Sequence, residues 1–287
     1  MKQNLLKRLE EDKKKYSKTQ RLIAEYISDN YDKAAFMTAG RLAKEARASE
    51  STVVRFAAEL GYNGYQEMQQ DLQELLKNKF TAIQRIELAS DRMSGDIVES
   101  VLRSDVNNIL ETLDNIDRAE FEKAVECILN SEKIYITGVR AAAPLAQFLG
   151  FYLNIMFPNV HIISTISVSE VFEQLLRLSD KDVLIGISFP RYSRRTTSAM
   201  QFAHDRKANV IAITDSDNSP LCKFADYRIT AKSGMVSFAD SIVAPLSCIN
   251  ALIAALSMRM KNDVANSLST LEEIWDDYGV YEKLDNE

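Results

Sequence analysis

The sequence predicts a chain of two parts, a small all-α domain with a helix-turn-helix and an α/β domain whose parallel sheet is flanked by helices. Residues 1–80 carry only helical patterns of apolar side chains. From residue 133 onward, apolar runs of four to six residues alternate with helical stretches, as in a parallel sheet covered on both faces. A length of 287 residues with 46% hydrophobic content suits two ordinary domains with real cores.

The first clear helix covers residues 17–31 and is amphipathic. The side chains that we expect on its inner side are Leu22, Ile23, Tyr26 and Ile27.

A helix-turn-helix follows. Residues 41–46 form a short helix, residues 47–49 supply a tight break, and Ser49 is a good N-cap for a second helix that ends near Leu60. The buried stripe of this second helix contains Val53, Phe56 and Leu60. Its opposite face, with the edges, contains Ser51, Val54, Arg55, Ala58 and Glu59. A face of small residues with one arginine suits entry into the major groove of double-stranded DNA. The alternative is a surface helix pair that packs on another element.

If the helix pair binds DNA, Ser51 and Arg55 face the base edges of a (pseudo)palindromic operator. The residues expected to meet phosphates are Thr38, Lys44, Ser49 and Thr52.

The charge distribution agrees with this interpretation. Residues 1–80 contain 15 Lys+Arg against 12 Asp+Glu, whereas the remaining residues contain 20 against 29. The acidic chain therefore carries a mildly basic N-terminal part, as a DNA-facing domain would.

Composition excludes several classes of protein. No apolar run approaches 18 residues, and the N-terminus lacks the apolar segment of a signal peptide. The three cysteines, Cys127, Cys222 and Cys248, form no C-x-x-C pair. We therefore expect a reduced, cytoplasmic protein without disulfides, metal or cofactor, and without a membrane partner.

Helices are further predicted at residues 65–77 and 118–130, and residues 81–117 have a helical pattern with a break at 90–95. The strand-like runs are 133–137, 161–166, 183–188, 210–214 and 227–230. A mostly apolar helix at 246–260 and an amphipathic one from Val264 to Tyr278 end the chain. The predicted boundaries are 1–80 for the DNA-binding domain, 81–117 for a helical connector, 118–262 for the α/β domain and 263–287 for a C-terminal helix.

The segment LAKEARASESTVVRFAAELGYNGYQEM resembles the recognition region of RpiR/MurR-type transcriptional regulators. These proteins join a helix-turn-helix to a C-terminal sugar isomerase (SIS) domain, and the resemblance covers nearly the whole chain. Where SIS domains have G-x-G-x-S after the first strand, this chain has GVRAAAPLA. Where they have S-x-S-G-x-T-x-E after the third strand, it has ISFPRYSRRT. A later SIS segment is similar to IAITDSDNSPLCKFADYRI of this chain. The resemblance implies an oligomeric DNA-binding regulator, a homodimer or tetramer, that senses a phosphorylated sugar.

The two loops depart from the family pattern. Arg140 and Ala142 replace the second Gly and the Ser of the first loop, while Pro190, Arg191 and Arg195 replace Ser, Gly and Glu of the second. The candidate ligand-binding residues at these loops and beyond are Gly138, Arg140, Ala142, Ser188, Arg191, Ser193, Arg195 and Ser237.

Because arginine binds phosphate or carboxylate in a bidentate manner, these loops favour a small anionic effector. We expect a phosphosugar, a sugar acid or a related carboxylate. Because an arginine in place of glycine narrows the approach of the backbone to a phosphate, a sugar acid or another carboxylate is favoured over a simple hexose phosphate. Alternatively, the arginines are surface charges or subunit contacts. Ser237, Asp240 and Ser241 are expected to close the pocket; alternatively, Ser237 and Asp240 cap the next helix.

The rival function is a phosphosugar isomerase. Proton transfer between adjacent carbons requires a positioned base, and the chain has only two histidines, His161 and His204. The loop glutamate of the SIS pattern is Arg195 here, so we expect no catalytic residues and no enzyme. Oligomerisation is expected mainly through the SIS domain, by way of the apolar helix at 246–260 and the stripe that contains Leu271 and Trp275.

Overall fold

The computed structural model describes Leu5, Arg8, Leu9 and residues 15–76, 83, 85–86, 96–164, 167–235 and 237–281. These belong to two compact units, Met1–Phe80 (unit 1) and Thr81–Glu287 (unit 2). The predicted helix end at residue 77, the break at 90–95 and the strand end at 165–166 lie outside the described residues.

Unit 1 is helical, as predicted. Its helices are α1 (Lys18–Asp29), α2 (Tyr31–Ala34), α3 (Ala39–Glu45), α4 (Glu50–Glu59) and α5 (Tyr65–Leu76).

Helix α1 begins in a capping box, in which the Gln20 N–H donates to Ser17 Oγ and the Ser17 N–H donates to Gln20 Oε1. Ile23 and Ile27 are buried and Tyr26 is half-buried, as the amphipathic pattern predicts. The prediction for Leu22 is wrong, because 39% of its surface is exposed. Leu22 precedes the buried Ile23 by one residue, and a turn of about 100° per residue takes it to the edge of the apolar stripe.

In unit 2 the described residues Ile83, Arg85 and Ile86 are helical, and two helices follow, α6 (Ile97–Asn115) and α7 (Arg118–Leu129). The strands are β1 (Ile134–Gly138), β2 (Val160–Ile163), β3 (Val183–Ile187), β4 (Asn209–Thr214) and β5 (Tyr227–Thr230). The helices between and after them are α8 (Ala143–Met156), α9 (Val168–Gln174), α10 (Arg194–Asp205), α11 (Val243–Arg259) and α12 (Lys261–Asp277).

The five strands form one parallel sheet in the order β2-β1-β3-β4-β5. Every residue of β1 and of β3 is buried, which is typical of a sheet covered on both faces. One face packs against residues of α7, α8 and α11, such as Ile128, Leu149 and Leu252. The other face packs against α9 and α10, through residues such as Val171 and Met200. The predicted fold class is therefore confirmed.

The connections that leave β1 and β3 run to opposite faces of the sheet. Helix α8, which follows β1, lies in the first core, whereas α10, which follows β3, lies in the second. The connections after β1 and β3 therefore diverge at the carboxyl ends of two adjacent strands. This is the topological switch point at which α/β domains bind ligands.

The C-terminal helices differ from expectation. Helix α11 buries six residues, among them Ile249, Leu252 and Leu256, in its own unit, so its apolar composition requires no partner subunit. Helix α12 has no fully buried residue, and 82% of Tyr278 is exposed. No single helix in the described ranges is long and apolar enough to cross a membrane. Helices α11 and α12 pass that test only together, and they meet at a bend of 99°.

The three cysteines are free thiols. Burial raises the pKa of Cys127, of Cys222 and of Cys248 from the ordinary 9.0 to about 11, and the charge of Asp226 contributes at Cys127. At neutral pH these thiols are therefore protonated and weakly nucleophilic.

The raised pKa values predict slow alkylation. At pH 8 the thiolate fraction is about 100-fold lower for a pKa of about 11 than for one of 9.0. Iodoacetamide should therefore label the native chain about 100-fold more slowly than the urea-unfolded chain, and the native rate should rise with pH up to about 11. Equal rates in the two states at pH 8 would contradict the burial of these thiols.

Candidate functional site

The turn between α3 and α4 is built by two N-caps and one left-handed residue. Thr38 Oγ1 accepts the Arg41 N–H at 3.2 Å to begin α3, and Ser49 Oγ accepts the Thr52 N–H at 3.3 Å to begin α4. Arg47 has a φ of 52° and lies just beyond the C-cap of α3, where a helix commonly ends in this conformation. The predicted break and N-cap are thus both present.

Helix α4 has the predicted division between a buried and an exposed face. Val53 and Phe56 have no exposed surface and Leu60 has 4%. The exposed residues of the opposite face and its edges are Ser51, Val54, Arg55, Ala58 and Glu59. This face is therefore available to a partner.

The N-terminus of α4 carries a cluster of hydroxyl groups. Ser49 Oγ lies 3.0 Å from Ser51 Oγ and 2.7 Å from Thr52 Oγ1. Arg55 Nε donates to the Ser51 carbonyl oxygen at 3.3 Å, which uses one of the five N–H donors of this guanidinium. The arginine thus lies beside the hydroxyls and keeps donors for a base or a phosphate.

The remaining predicted phosphate contacts, Thr38 and Lys44, are exposed. The sequence analysis did not single out Arg41 and Arg47, which are also exposed beside the turn. Their position in the helix-turn-helix was the signal that could have found them.

Helix α5 fixes the start of this motif. Tyr65 Oη and Gln69 Nε2 both donate to the Met37 carbonyl oxygen, at 2.6 and 2.9 Å. Burial raises the pKa of Tyr65 to about 12, so the phenol keeps its proton and remains a donor. The residue before Thr38 is therefore held by two side chains.

In unit 2 the two ligand loops meet at the switch point. The first loop, residues 139–142, contains a 3-10 turn and leads into α8; the second loop, residues 188–193, leads into α10. Gly138 precedes the first loop and admits no larger residue, because a Cβ there would lie 2.7 Å from the Ala142 carbonyl oxygen. The glycine thus permits the backbone of Ala142 to lie against the end of β1.

Arg140 and Arg191 both have left-handed backbones, with φ values of 57° and 64°. Neither follows a helix end, in contrast to Arg47 and Lys207, which lie just beyond the C-caps of α3 and α10. These are the two positions at which the SIS pattern has glycine. The loops thus retain a glycine-like conformation although they carry long cationic side chains, at a cost of about 1–3 kcal/mol each.

The hydroxyl groups of the second loop hold the loop itself. Ser188 Oγ accepts the Ser193 N–H at 3.1 Å, and Ser193 Oγ accepts the N–H groups of Arg195 and Thr196 at 3.2 and 3.4 Å. Because Ser193 caps α10, two of the N–H groups at this helix N-terminus are already satisfied. Each hydroxyl retains its own proton for a ligand.

A cavity of about 450 Å³ lies between the loops, and we call it the switch-point cavity. Five of the predicted ligand residues line it, namely Arg140, Ala142, Ser188, Arg191 and Ser193. Arg140 and Ser193 also line a second cavity of about 350 Å³, together with Arg195. The structure thus brings most of the predicted residues together.

Ser237 is not among the lining residues of either cavity. Its hydroxyl accepts the Ala239 N–H at 3.3 Å within its own loop. The alternative that Ser237 and Asp240 cap the next helix is wrong, because the N-cap of α11 is Ile242, without a side-chain cap. The first N–H of α11, that of Val243, donates instead to Ser241 Oγ at 3.3 Å.

Two further residues of the switch-point cavity, Arg85 and Asp240, form an ion pair in its wall. Asp240 is a candidate from the sequence, whereas Arg85 is not. No local signal marks Arg85, because its partner is 155 positions away in sequence.

The histidines lie apart from the cavity lining. His161 stacks on Tyr135 with ring centroids 4.9 Å apart, and His204 lies in the last turn of α10, 6.2 Å from the Phe224 ring. Across the described ranges, no group of three or more His, Cys, Asp or Glu side chains has the arrangement of a metal site.

Two family models match this chain: the helix-turn-helix domain of the rpiR family over residues 3–79, and the SIS domain over residues 127–255. The chain belongs to the RpiR family. As an RpiR-family member it is similar to an uncharacterised HTH-type transcriptional regulator of Clostridium perfringens, with 26% identity over 82% of this chain and 84% of the relative.

Two solved structures resemble this RpiR-family chain. The sugar isomerase domain of an RpiR transcription factor from Sphaerobacter thermophilus has 28% identity and a TM-score of 0.58, over 60% of this chain and 96% of that one. The NanR protein of Vibrio vulnificus, solved in complex with ManNAc-6P, has 24% identity and a TM-score of 0.59, over 99% of this chain and 100% of that one. The two family models and the curated relative show that the chain is a transcriptional regulator with a SIS domain.

The left-handed loop residue predicts an inverted order of stability. The free energy of unfolding of Arg191→Gly, measured by urea denaturation, should exceed that of Arg191→Ala by about 1 kcal/mol, because only glycine adopts a φ of 64° without strain. The matched control is Arg194, the first residue of α10, where alanine should be the more stable substitution. The same order at both positions would contradict the strained backbone of Arg191.

Proposed function

We propose that this chain binds operator DNA through the exposed face of α4 and senses a small anionic metabolite in the switch-point cavity. It would act in the cytoplasm as a homodimer or tetramer. The observation that carries the effector part is the presence of Arg85, Arg140 and Arg191 around one cavity at the sheet's switch point. A phosphosugar, a sugar acid or a related carboxylate has the charge for this site.

The surface of α4 supports direct readout by Arg55 and Ser51. Both are exposed, and Arg55 lies beside the hydroxyls at the helix N-terminus. Ser49 and Thr52 lie at the N-terminus of α4, while Thr38 and Lys44 lie at the start and in the last turn of α3. These four residues would bind phosphates and set the orientation of the helix. The acidic Glu50 and Glu59 flank this face and would disfavour phosphate close to them.

Arg55→Ala should weaken binding to the chain's own promoter by about 1–3 kcal/mol if the guanidinium reads a guanine. The measurement is a gel shift with the DNA upstream of its own operon. Arg21→Ala is the matched control, because it removes one positive charge from an exposed site on α1 and should change affinity much less. Equal affinities of wild type and Arg55→Ala would reject this role.

The loop chemistry favours recognition by side chains over recognition by backbone. In the second loop the cap by Ser193 already satisfies two N–H groups of α10, so a helix N-terminus alone offers the anion little there. The guanidinium groups of Arg140 and Arg191 would provide the bidentate donors instead. NanR, which shares this fold, holds a phosphorylated sugar, and this favours sugar phosphates among the probes.

The isomerase alternative lacks a positioned base. The cavity lining contains no histidine, Arg195 stands where the SIS pattern has glutamate, and Asp240 is paired with Arg85. Proton abstraction next to a carbonyl group requires a carboxylate or imidazole within hydrogen-bond reach of the substrate carbon. We therefore propose a sensor that does not turn over its ligand.

Arg191→Ala should abolish the response to ligand and leave unliganded operator binding nearly intact. The probes are ManNAc-6P, glucose 6-phosphate and gluconate, screened by thermal shift and then added to the gel shift. A bound probe stabilises the wild type by about 2.7 kcal/mol at 100 times its Kd. It must also change operator affinity, since an effector acts only by binding the two states unequally.

Loss of operator binding by Arg191→Ala without ligand would instead make Arg191 a structural or interface residue. An unchanged response to the probe would place ligand recognition elsewhere.

The oligomer proposal rests on the surface shared by α8, β2 and α12. A groove of about 620 Å³ there is lined by Phe151, Ile155, Ile162, Leu271 and Trp275, among others, and 61% of Phe151 is exposed. Exposed apolar surface of this kind favours a second copy of the chain.

Light scattering of the full chain should therefore give a mass of at least two copies, which Phe151→Asp should shift toward one. Leu176→Asp, at an equally exposed leucine outside the groove, is the control and should not change the mass. A wild-type monomer would reject the proposal.

A further inference from the structure

Arg85 is a fully buried cation at the edge of the switch-point cavity. Only 1% of its side chain is exposed, and its Nη1 lies 2.9 Å from Oδ1 and 3.0 Å from Oδ2 of Asp240. The Asp240 side chain is 17% exposed. The cation is thus enclosed, while its carboxylate partner reaches solvent.

Asp240 is the one acidic side chain among the cavity's lining residues in the part of the chain that the structure describes. The arginines of the same lining are Arg85, Arg140 and Arg191. The Asp240 carboxylate therefore presents to Arg85 the group that an anionic ligand would present.

The segment that carries Asp240 is attached to α6. Ser241 Oγ donates to Asp105 Oδ1 at 2.5 Å, and the Lys232 N–H donates to Thr112 Oγ1 at 2.8 Å. Between these two bonds, Gly234 lies so close to Asn108 that a Cβ would come within 2.5 Å of its Nδ2. A movement of Asp240 would therefore act on α6.

We propose that Arg85 is an anion-binding residue of the switch-point cavity. In the unliganded chain the Asp240 carboxylate occupies the anion position beside Arg85, and an anionic effector replaces it there. Removing the partner of a buried charge without substitution is costly, because the charge stays buried and unpaired. In an exchange Arg85 always has an anion, and the half-exposed loop lets the Asp240 carboxylate move into water. The effector thus selects the state in which residues 237–241 are released.

The exchange links the cavity to the connector. Arg85 follows Phe80, the last residue of unit 1, by a short stretch of chain, whereas the other cavity arginines belong to the sheet loops. A ligand held by Arg85 would therefore contact the beginning of unit 2 as well as its sheet loops. This inference rests on the proposed anion-sensing function and specifies the residue through which it reaches the connector.

The test is calorimetric titration of the full chain with ManNAc-6P, glucose 6-phosphate, gluconate and inorganic phosphate. Asp240→Asn should bind the active probe about tenfold more tightly, because no carboxylate competes for Arg85, and Arg85→Gln should bind it about tenfold more weakly. Arg85→Lys should lie between Arg85→Gln and the wild type. Glu122→Gln, which breaks an exposed ion pair with Arg259 whose Nη2–Oε2 distance is 3.0 Å, should change nothing.

A second measurement needs no substitution and so survives a variant that does not fold. Amide hydrogen exchange of the wild type should become faster at residues 237–241 and slower at residues 188–193 when the active probe binds. Slower exchange in both segments would mean that the loop closes over the ligand with the ion pair intact, and would overturn the proposal.

The remaining outcomes separate the two claims. If the wild type binds a probe but Asp240→Asn and Arg85→Gln both weaken binding or both leave it unchanged, the ion pair is structural. The exchange is then refuted and anion sensing stands. If the wild type binds none of the four probes, anion sensing itself fails, and the exchange fails with it.

Discussion

The strand order β2-β1-β3-β4-β5 is the constraint on which the ligand site depends. Adjacent strands β1 and β3 send their following helices to opposite faces of the sheet, so the backbone must part where these two strands end. The two sheet loops of the cavity are consequences of that parting. Other lining residues of the cavity have a different origin, since they lie in the segment between β5 and α11.

In the proposed ligand site, arginine side chains would recognise the ligand at positions where the SIS pattern has glycine. The left-handed backbones of Arg140 and Arg191 keep the path that glycine usually makes possible. The serine hydroxyls fasten the second loop to itself and to the start of α10. Cationic side chains thus surround a space that backbone amides would otherwise serve. A site of this type selects for charge and planarity of the ligand more than for close fit against the main chain.

Features set by neighbouring residues could be predicted from the sequence. The N-cap at Ser49, the two faces of α4 and the alternation of strands and helices all follow from short-range patterns. The exposure of Leu22 could not be predicted, because no local pattern shows whether an apolar residue at the edge of a buried stripe is itself buried. The ion pair of Arg85 with Asp240 was out of reach for a related reason, since 155 residues separate the partners and neither lies in a motif. The apolar α11 was recognised as a helix, but only the packed structure assigns its surface to the core of its own unit.

The two hydrogen bonds on the Met37 carbonyl oxygen have a consequence for the kinetics of DNA recognition. Tyr65 and Gln69 hold the entry to α3, Thr38 and Ser49 fix the two helix starts, and the core side of α4 is fully enclosed. A surface assembled in this way before contact loses little conformational entropy on association. Its encounter with a polyanion would be governed by diffusion and by counterion release, so it would be fast and steeply sensitive to salt, with no slow folding phase.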